Sequence, residues 1–188
     1  IVGGKVVLDD TELLGLSEEE LRQMRWTKLS LIPQGAMNSL NPVMRIGDQL
    51  MLTIREHAED GEIPDKHTQL KQVEELFYRV GLKPAVARLY PHELSGGMKQ
   101  RACIAQAISL NPQLILADEP TSALDVVVQR QIMQTLRKLQ NELDATVLLV
   151  GHDMGLMAQF AERVGIMYGG KLVEVGPVEE IFHKPQHP

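Results

Sequence analysis

The feature that most constrains the fold is an alternation of short apolar runs and helical patterns that sets in after Gly96. Leu114-Ile115-Leu116-Ala117 is followed by Ile132, Leu136, Leu139 and Leu143 at helical spacing, and Val147-Leu148-Leu149-Val150 by residues 154–160. Strand-helix alternation of this kind predicts an α/β fold with a mostly parallel sheet and crossover helices. Both runs read as buried strands. Beyond them, Val164 to Tyr168 and Lys171 to Val175 flank Gly169-Gly170, which predicts a C-terminal β-hairpin with a two-residue turn.

The first third has a different texture. Lys5 to Leu8 is a short β-like run closed by Asp9-Asp10. Ser17 and Glu20 stand at capping-box spacing, so a short helix is expected from there to about Trp26. Leu29, Leu31 and Ile32 read as a buried strand that Pro33 stops, which puts Gln34 at a strand end. From Asn38 to about Leu94 the apolar residues recur at helical spacing: Ile46, Leu50, Ile54, then Leu70, Val73, Leu76, Phe77 and Val80. A polar break falls at Asp60-Gly61 and Pro64. The chain is thus expected to be one truncated domain over residues 1–188, with 1–37 and 95–188 as its core and 38–94 as an inserted helical subdomain.

Composition narrows the function. Twenty-five acidic residues against nineteen Lys plus Arg give a formal charge of −6, and no basic run is long enough to track a phosphate backbone, so nucleic acid is not expected as a partner. One cysteine excludes an internal disulfide, and no Cys/His cluster has metal-ligand spacing. Cys103, among small apolar residues, reads as core packing, as do the nine methionines. No window approaches the roughly 18 apolar residues of a membrane span. The chain opens on Ile1 and closes on Gln186-His187-Pro188, and is read as a fragment cut at both ends.

Chemistry concentrates at strand ends. The apolar strand at 114–117 finishes in Asp118-Glu119-Pro120, and in open α/β sheets ligands bind at the carboxyl ends of strands. An Asp there can hold the water shell of Mg²⁺, and a neighbouring Glu can orient and deprotonate an attacking water. A solvated strand terminus is the plain alternative. Leu94-Ser95-Gly96-Gly97-Met98-Lys99-Gln100-Arg101 opens a helix with a serine cap and two glycines, which allow close backbone approach to an anion at the helix N-terminus. An ordinary capped turn is the alternative here. Ser122-Ala123-Leu124-Asp125 follows the paired carboxylates, and His152 follows the next strand, where an imidazole can bond a terminal phosphate or the attacking water.

In this order the motifs resemble the ATPase domain of ABC transporters, within the P-loop NTPase-like class, over essentially the whole chain. Gln34 resembles the Q-loop, Leu94 to Arg101 the signature motif, Leu114 to Glu119 the Walker B strand, Ser122 to Asp125 the D-loop and His152 the switch histidine. Asn38-Ser39-Leu40-Asn41-Pro42 and the form LSGGMKQR look most like the importer branch for oligopeptides, dipeptides and nickel. The resemblance implies ATP and Mg²⁺ as ligands. It implies Asp118 holding the metal through water, Glu119 as general base, Gln34 contacting metal and water, and His152 on the γ-phosphate. Ser95, Gly96 and Gly97 would reach the nucleotide of a second ATPase domain, homo- or heterodimeric, and Asp125 would couple the two sites. The helical subdomain would dock on transmembrane permease subunits at the cytoplasmic face of the membrane.

Two departures stand out. Met98 occupies a position where much of the superfamily has glutamine. The family's phosphate loop, G-x-x-x-x-G-K-[ST], is expected ahead of residue 1. Gly165 to Lys171 fits G-x-x-x-x-G-K, but Leu172 stands where a hydroxyl must reach Mg²⁺ and both flanks read as strand, so this match is set aside. Besides the importer subunit, the sequence leaves open a non-transport ATPase of the same superfamily, acting in DNA repair or translation. It also leaves open an inactive fragment that cannot bind ATP alone.

Overall fold

The computed structural model describes residues 3–35, 39–58 and 63–187. Asn38 and the Asp60-Gly61 break lie outside them.

The chain opens with β1 (Val7–Leu8) and β2 (Thr11–Glu12), an antiparallel pair turning at Asp9-Asp10, where Asp9 takes a left-handed φ of 50°. Next comes α1 (Glu18–Met24). Its capping box forms as expected: Ser17 N donates to Glu20 Oε2 at 2.7 Å, and Glu20 N to Ser17 Oγ at 3.3 Å. It ends two residues before Trp26, whose φ of 61° is incompatible with a continuing right-handed helix.

The central sheet is parallel, in the order β3 (Leu29–Ile32), β4 (Leu114–Asp118), β5 (Thr146–Val150). Leu31 pairs with Leu116 and Leu116 with Leu148; Ile32 pairs with Ala117 and Ala117 with Leu149. Since side chains alternate across a strand, this register sorts the sheet into two faces. Ser30, Ile32, Ile115 and Ala117 are buried on one. On the other, Leu31, Leu148 and Val150 are 57%, 54% and 53% exposed. The expectation that 29–32 and 147–150 are buried strands is therefore corrected: only one face is covered by the described residues, and the far edge of β5 has no partner strand among them.

The helices on the covered face carry the core. These are α2 (Ile46–Glu56), α3 (Lys66–Arg79), α4 (Gly96–Ala107) and α5 (Val126–Leu143). Ile46, Leu50, Val73 and Phe77 join Ile104, Ile115, Ile132 and Leu139 in one continuous cluster, each wholly shielded from solvent. Polar links supplement it. Arg55 Nε donates to Gln69 Oε1 at 2.7 Å, and Gln106 Nε2 to Thr53 Oγ1 at 3.2 Å. Buried Gln49 pins the loop before α2, accepting from Asn41 N at 2.9 Å and donating to the carbonyls of Asn41 and Met44, both at 3.1 Å.

After β5 come α6 (Met154–Phe160), then β6 (Arg163–Tyr168) and β7 (Lys171–Pro177), and last α7 (Val178–His183). β6 and β7 form the expected hairpin. Gly169 and Gly170 take φ of 54° and 78°, the pair of positive angles a two-residue turn of the primed type requires.

Two outcomes test local stability. Asp125 caps α5 by accepting from Val127 N at 3.1 Å and Val128 N at 3.0 Å. Asp125→Ala should lower unfolding free energy by about 1 kcal/mol while Asp125→Asn leaves it nearly unchanged, and equal losses in urea melts would contradict the cap. Burial pushes the Cys103 thiol up from 9.0 to about 11, against the lowering effect of its bond with Ser39. The protonated thiol is thus favoured by folding. Stability should be intact below pH 9 and fall as pH rises from 9 through 11, by at most about 1.4 kcal/mol per pH unit. Cys103→Ala should remove that component of the slope, seen as the difference between the two proteins' urea midpoints across this range.

Candidate active site at the carboxyl ends of the parallel strands

Parallel strands put their carboxyl ends on one edge, and three expected site residues gather there. Gln34 lies two residues past β3, Glu119 directly follows β4, and His152 lies two residues past β5. Gln34 Nε2 donates to Glu119 Oε2 at 2.8 Å, while His152 Nδ1 lies 2.8 Å from Glu119 Oε1. Both oxygens of one carboxylate are thus held from opposite sides. An ionised carboxylate only accepts, so His152 Nδ1 carries the hydrogen and donates. That leaves Nε2 for a further partner. His152 is largely exposed, and this contact therefore contributes little to stability.

Glu119 sits at a turn the backbone does not adopt freely. Its φ is 43°, in the left-handed region, which costs a non-glycine residue about 1 kcal/mol or more. The turn is fixed at both sides: Glu119 N donates to Val150 O at 2.9 Å, and Ser122 N to Glu119 O at 3.0 Å. Gln129 Nε2, on the first turn of α5, donates to Thr121 O at 3.2 Å. A cleft of about 200 Å³ opens beside Glu119, between Thr121-Ser122 and Gly151-His152. Asp118, one residue earlier, is partly buried and pairs in register with Val150.

Ser95, Gly96 and Gly97 belong to a second location, the start of α4. Ser95 is exposed, its Oγ accepting from Met98 N at 3.3 Å, and the two glycines are partly exposed, so the turn presents itself to solvent. Met98 packs against the core instead of facing outward as a polar group. Asp125 stands at the α5 N-cap, its Oδ1 engaged by the two backbone amides described above. The Gly165 to Lys171 match lies on the β6–β7 hairpin, where Lys171 opens a strand and not a helix that would present amides to a phosphate.

Several supporting residues were not legible as such. Gln49, Arg101 and Val128 owe their importance to loop carbonyls and a glycine on other elements, and no spacing in the sequence announces those partners. The left-handed turn at Glu119 was equally hidden, since glutamate carries no turn signal.

Similarity to known proteins bears on the family and the fold. An ABC transporter family model matches residues 2–122. The chain is 41% identical over 187 residues to the oligopeptide transport ATP-binding protein OppD of Bacillus subtilis (strain 168), covering 98% of this chain and 51% of that protein. It is 46% identical over 179 residues to a putative peptide import ATP-binding protein of Brucella ovis, covering 94% and 52%. The chain therefore spans about half the length of the curated relatives it matches. Among solved structures, it resembles the ATP-binding cassette MJ0796 in a dimeric post-hydrolysis state bound to ADP and Pi, with TM-score 0.82 and 30% identity over 94% of this chain and 74% of that one. The α/β fold expected from the strand-helix alternation is the fold of that cassette, and a family match over more than half of the 188 residues means that the chain belongs to the ABC transporter family.

Proposed function

We propose that these residues form most of an ATP-hydrolysing unit that works in face-to-face pairs and drives import of a peptide-like or metal solute. The observation that carries this is the Glu119 carboxylate held between Gln34 and His152 at the ends of three parallel strands. The peptide branch is supported by the oligopeptide, dipeptide and peptide-import names of the relatives. Pairing is supported by the dimeric states of the solved neighbours.

In this reading Glu119 accepts a proton from the attacking water and fixes its line of approach, while His152 would turn its Nδ1–H from Glu119 to the terminal phosphate, an acceptor that the unprotonated Nε2 cannot serve. Gln34 holds Glu119 with its amide nitrogen, leaving the amide oxygen for a cation or water. That oxygen and the Asp118 carboxylate are hard donors suited to Mg²⁺, which is characteristically held by one or two carboxylates, waters and substrate phosphates. Among the described residues no group of three His, Cys, Asp or Glu could hold a metal by itself, in keeping with a cation bound chiefly through nucleotide and water. When bound, Mg²⁺ would neutralise charge on the phosphates. Ser95 to Gly97 would meet the nucleotide of a second copy or a sister ATPase, with Asp125 at the contact between them.

Residues 38–94 are read as a helical subdomain facing permease subunits, and 1–37 with 95–188 as the catalytic core. Among the described residues no helix is long and apolar enough to cross a membrane, and a peripheral place at the cytoplasmic face follows from partnership with a permease. The only G-x-x-x-x-G-K match in residues 1–188 is the hairpin sequence, so this stretch alone is inferred to bind nucleotide poorly and to be inactive without a phosphate loop.

Two measurements test the proposal. In the native protein carrying these residues, Glu119→Gln should retain MgATP binding and nucleotide-driven pairing but lose turnover by about 10²-fold or more; hydrolysis at the parent rate would remove Glu119 from the role of base. Titration calorimetry of residues 1–188 with MgATP should give little or no heat of binding, and a micromolar affinity would contradict the inferred dependence on a phosphate loop.

A further inference from the structure

The start of α4 and the start of α5 are fitted to each other more closely than ordinary helix packing requires. A Cβ placed on Gly97 would lie 2.8 Å from Val128 Cγ1, so Val128 fills a notch that only glycine leaves open. One turn further along α4, Arg101 reaches the same face of α5. Its Nη1 donates to Thr135 Oγ1 at 3.2 Å and to Val80 O at 2.6 Å, and its Nη2 to Gln131 Oε1 at 3.3 Å. Val128, Gln131 and Thr135 recur at three- and four-residue intervals, and Gly97 and Arg101 at four, so each set lies on one helix face. Val80 is the C-cap residue of α3 and its carbonyl accepts from Arg101, so one guanidinium joins three helices. Partial burial of Arg101 lowers its pKa, but guanidinium remains charged at any ordinary pH.

Val128 is also the residue whose amide Asp125 caps, and Gln129 beside it holds the Thr121 carbonyl in the turn after Glu119. A continuous set of contacts therefore runs from the Ser95–Gly97 turn through Val128 to Asp125, and through Gln129 to the turn that carries Glu119. Just ahead of it, Val126 and Val127 are 78% and 67% exposed beside the solvent-facing serine-glycine turn.

We infer that the Val128-in-Gly97 notch and the Arg101 bridge lock the serine-glycine turn and the Asp125 turn into one rigid body, making Val128 and Arg101 positioning residues for the paired ATPase. The role presupposes ATP hydrolysis at a paired interface, as proposed above. Neither residue touches nucleotide. Each sets where the turn that must reach the partner's nucleotide stands relative to the chain's own Glu119, and misplacement by about 1 Å can cost on the order of 10²-fold in rate. Lysine cannot replace Arg101, because a point ammonium lacks the planar fork that reaches three acceptors at once.

The test uses the native protein carrying these residues, with Arg101→Ala, Arg101→Lys and Val128→Leu, the last extending a side chain into a notch with no spare room. Three quantities are read for each: MgATP affinity of the monomer, MgATP-driven dimerisation by light scattering in the Glu119→Gln background, and steady-state turnover. The expected result is monomer affinity within about twofold of the parent, with turnover and dimerisation each reduced about tenfold or more. Parent-like dimerisation and turnover in the folded variants would overturn the inference, and so would parallel loss of monomer affinity and of melting temperature, which marks a merely structural role. If Arg101→Ala does not fold, Gln131→Met with Thr135→Val removes the α5 acceptors while leaving the arginine, and is judged by the same three readings. Failure of the underlying ATPase proposal would look different: the parent itself would show no MgATP-driven dimer, or Glu119→Gln would still hydrolyse ATP.

Discussion

The parallel register of β3, β4 and β5 is the constraint on which the rest of the structure depends. Each pair is aligned without a slip, Leu29 with Leu114 and Leu114 with Thr146, so the three strands end within one residue of one another. Gln34, Glu119 and His152 come from distant parts of the chain and meet only because of that alignment. A one-residue slip of β5 would turn Val147 and Leu149 to the open face and carry His152 about 3.3 Å along the strand direction, out of hydrogen-bond reach of Glu119.

Beneath the strand ends the helices supply rigidity instead of chemistry. The core runs without interruption from Leu50 and Phe77 through Ile104 to Ile115 and Ile132, so the helices flanking the serine-glycine turn are anchored to the strand that delivers Asp118 and Glu119. Polar side chains then fix what apolar packing leaves loose. Gln49 holds the loop before α2, Asp125 the first turn of α5, and Arg101 the meeting point of α3, α4 and α5. In each case a side chain satisfies backbone or hydroxyl groups that would otherwise be left without partners where loops and helix ends are partly buried.

The strain at the site is local. Glu119 accepts a left-handed backbone angle at the one position where the chain must leave β4 and present a carboxylate to two neighbours, and hydrogen bonds on both sides of it hold that angle. Opposite the covered face, Leu31, Leu148 and Val150 remain open to solvent, so the sheet is one-sided within the described residues although its strands are apolar on both faces.

The sequence by itself determined the element types, the caps and the identity of the chemical groups. Period-3.6 and apolar-run patterns are local, as are Ser17-Glu20, Ser95 before two glycines, Asp118-Glu119 closing an apolar strand and the Gly169-Gly170 turn, and each is decided by residues within a few positions of one another. Only the tertiary structure decided which groups meet. The grip of Gln34 and His152 on one carboxylate spans 85 and 33 residues, and the fit of Val128 into Gly97 depends on two helices whose separation no local pattern encodes. Which strand faces are covered was also beyond local reading, because an apolar run reads the same whether one side of it or both find something to pack against. The physical reason is common to all three: propensity, periodicity and capping act between chain neighbours, whereas register and side-chain fit are settled by the packing of the whole core.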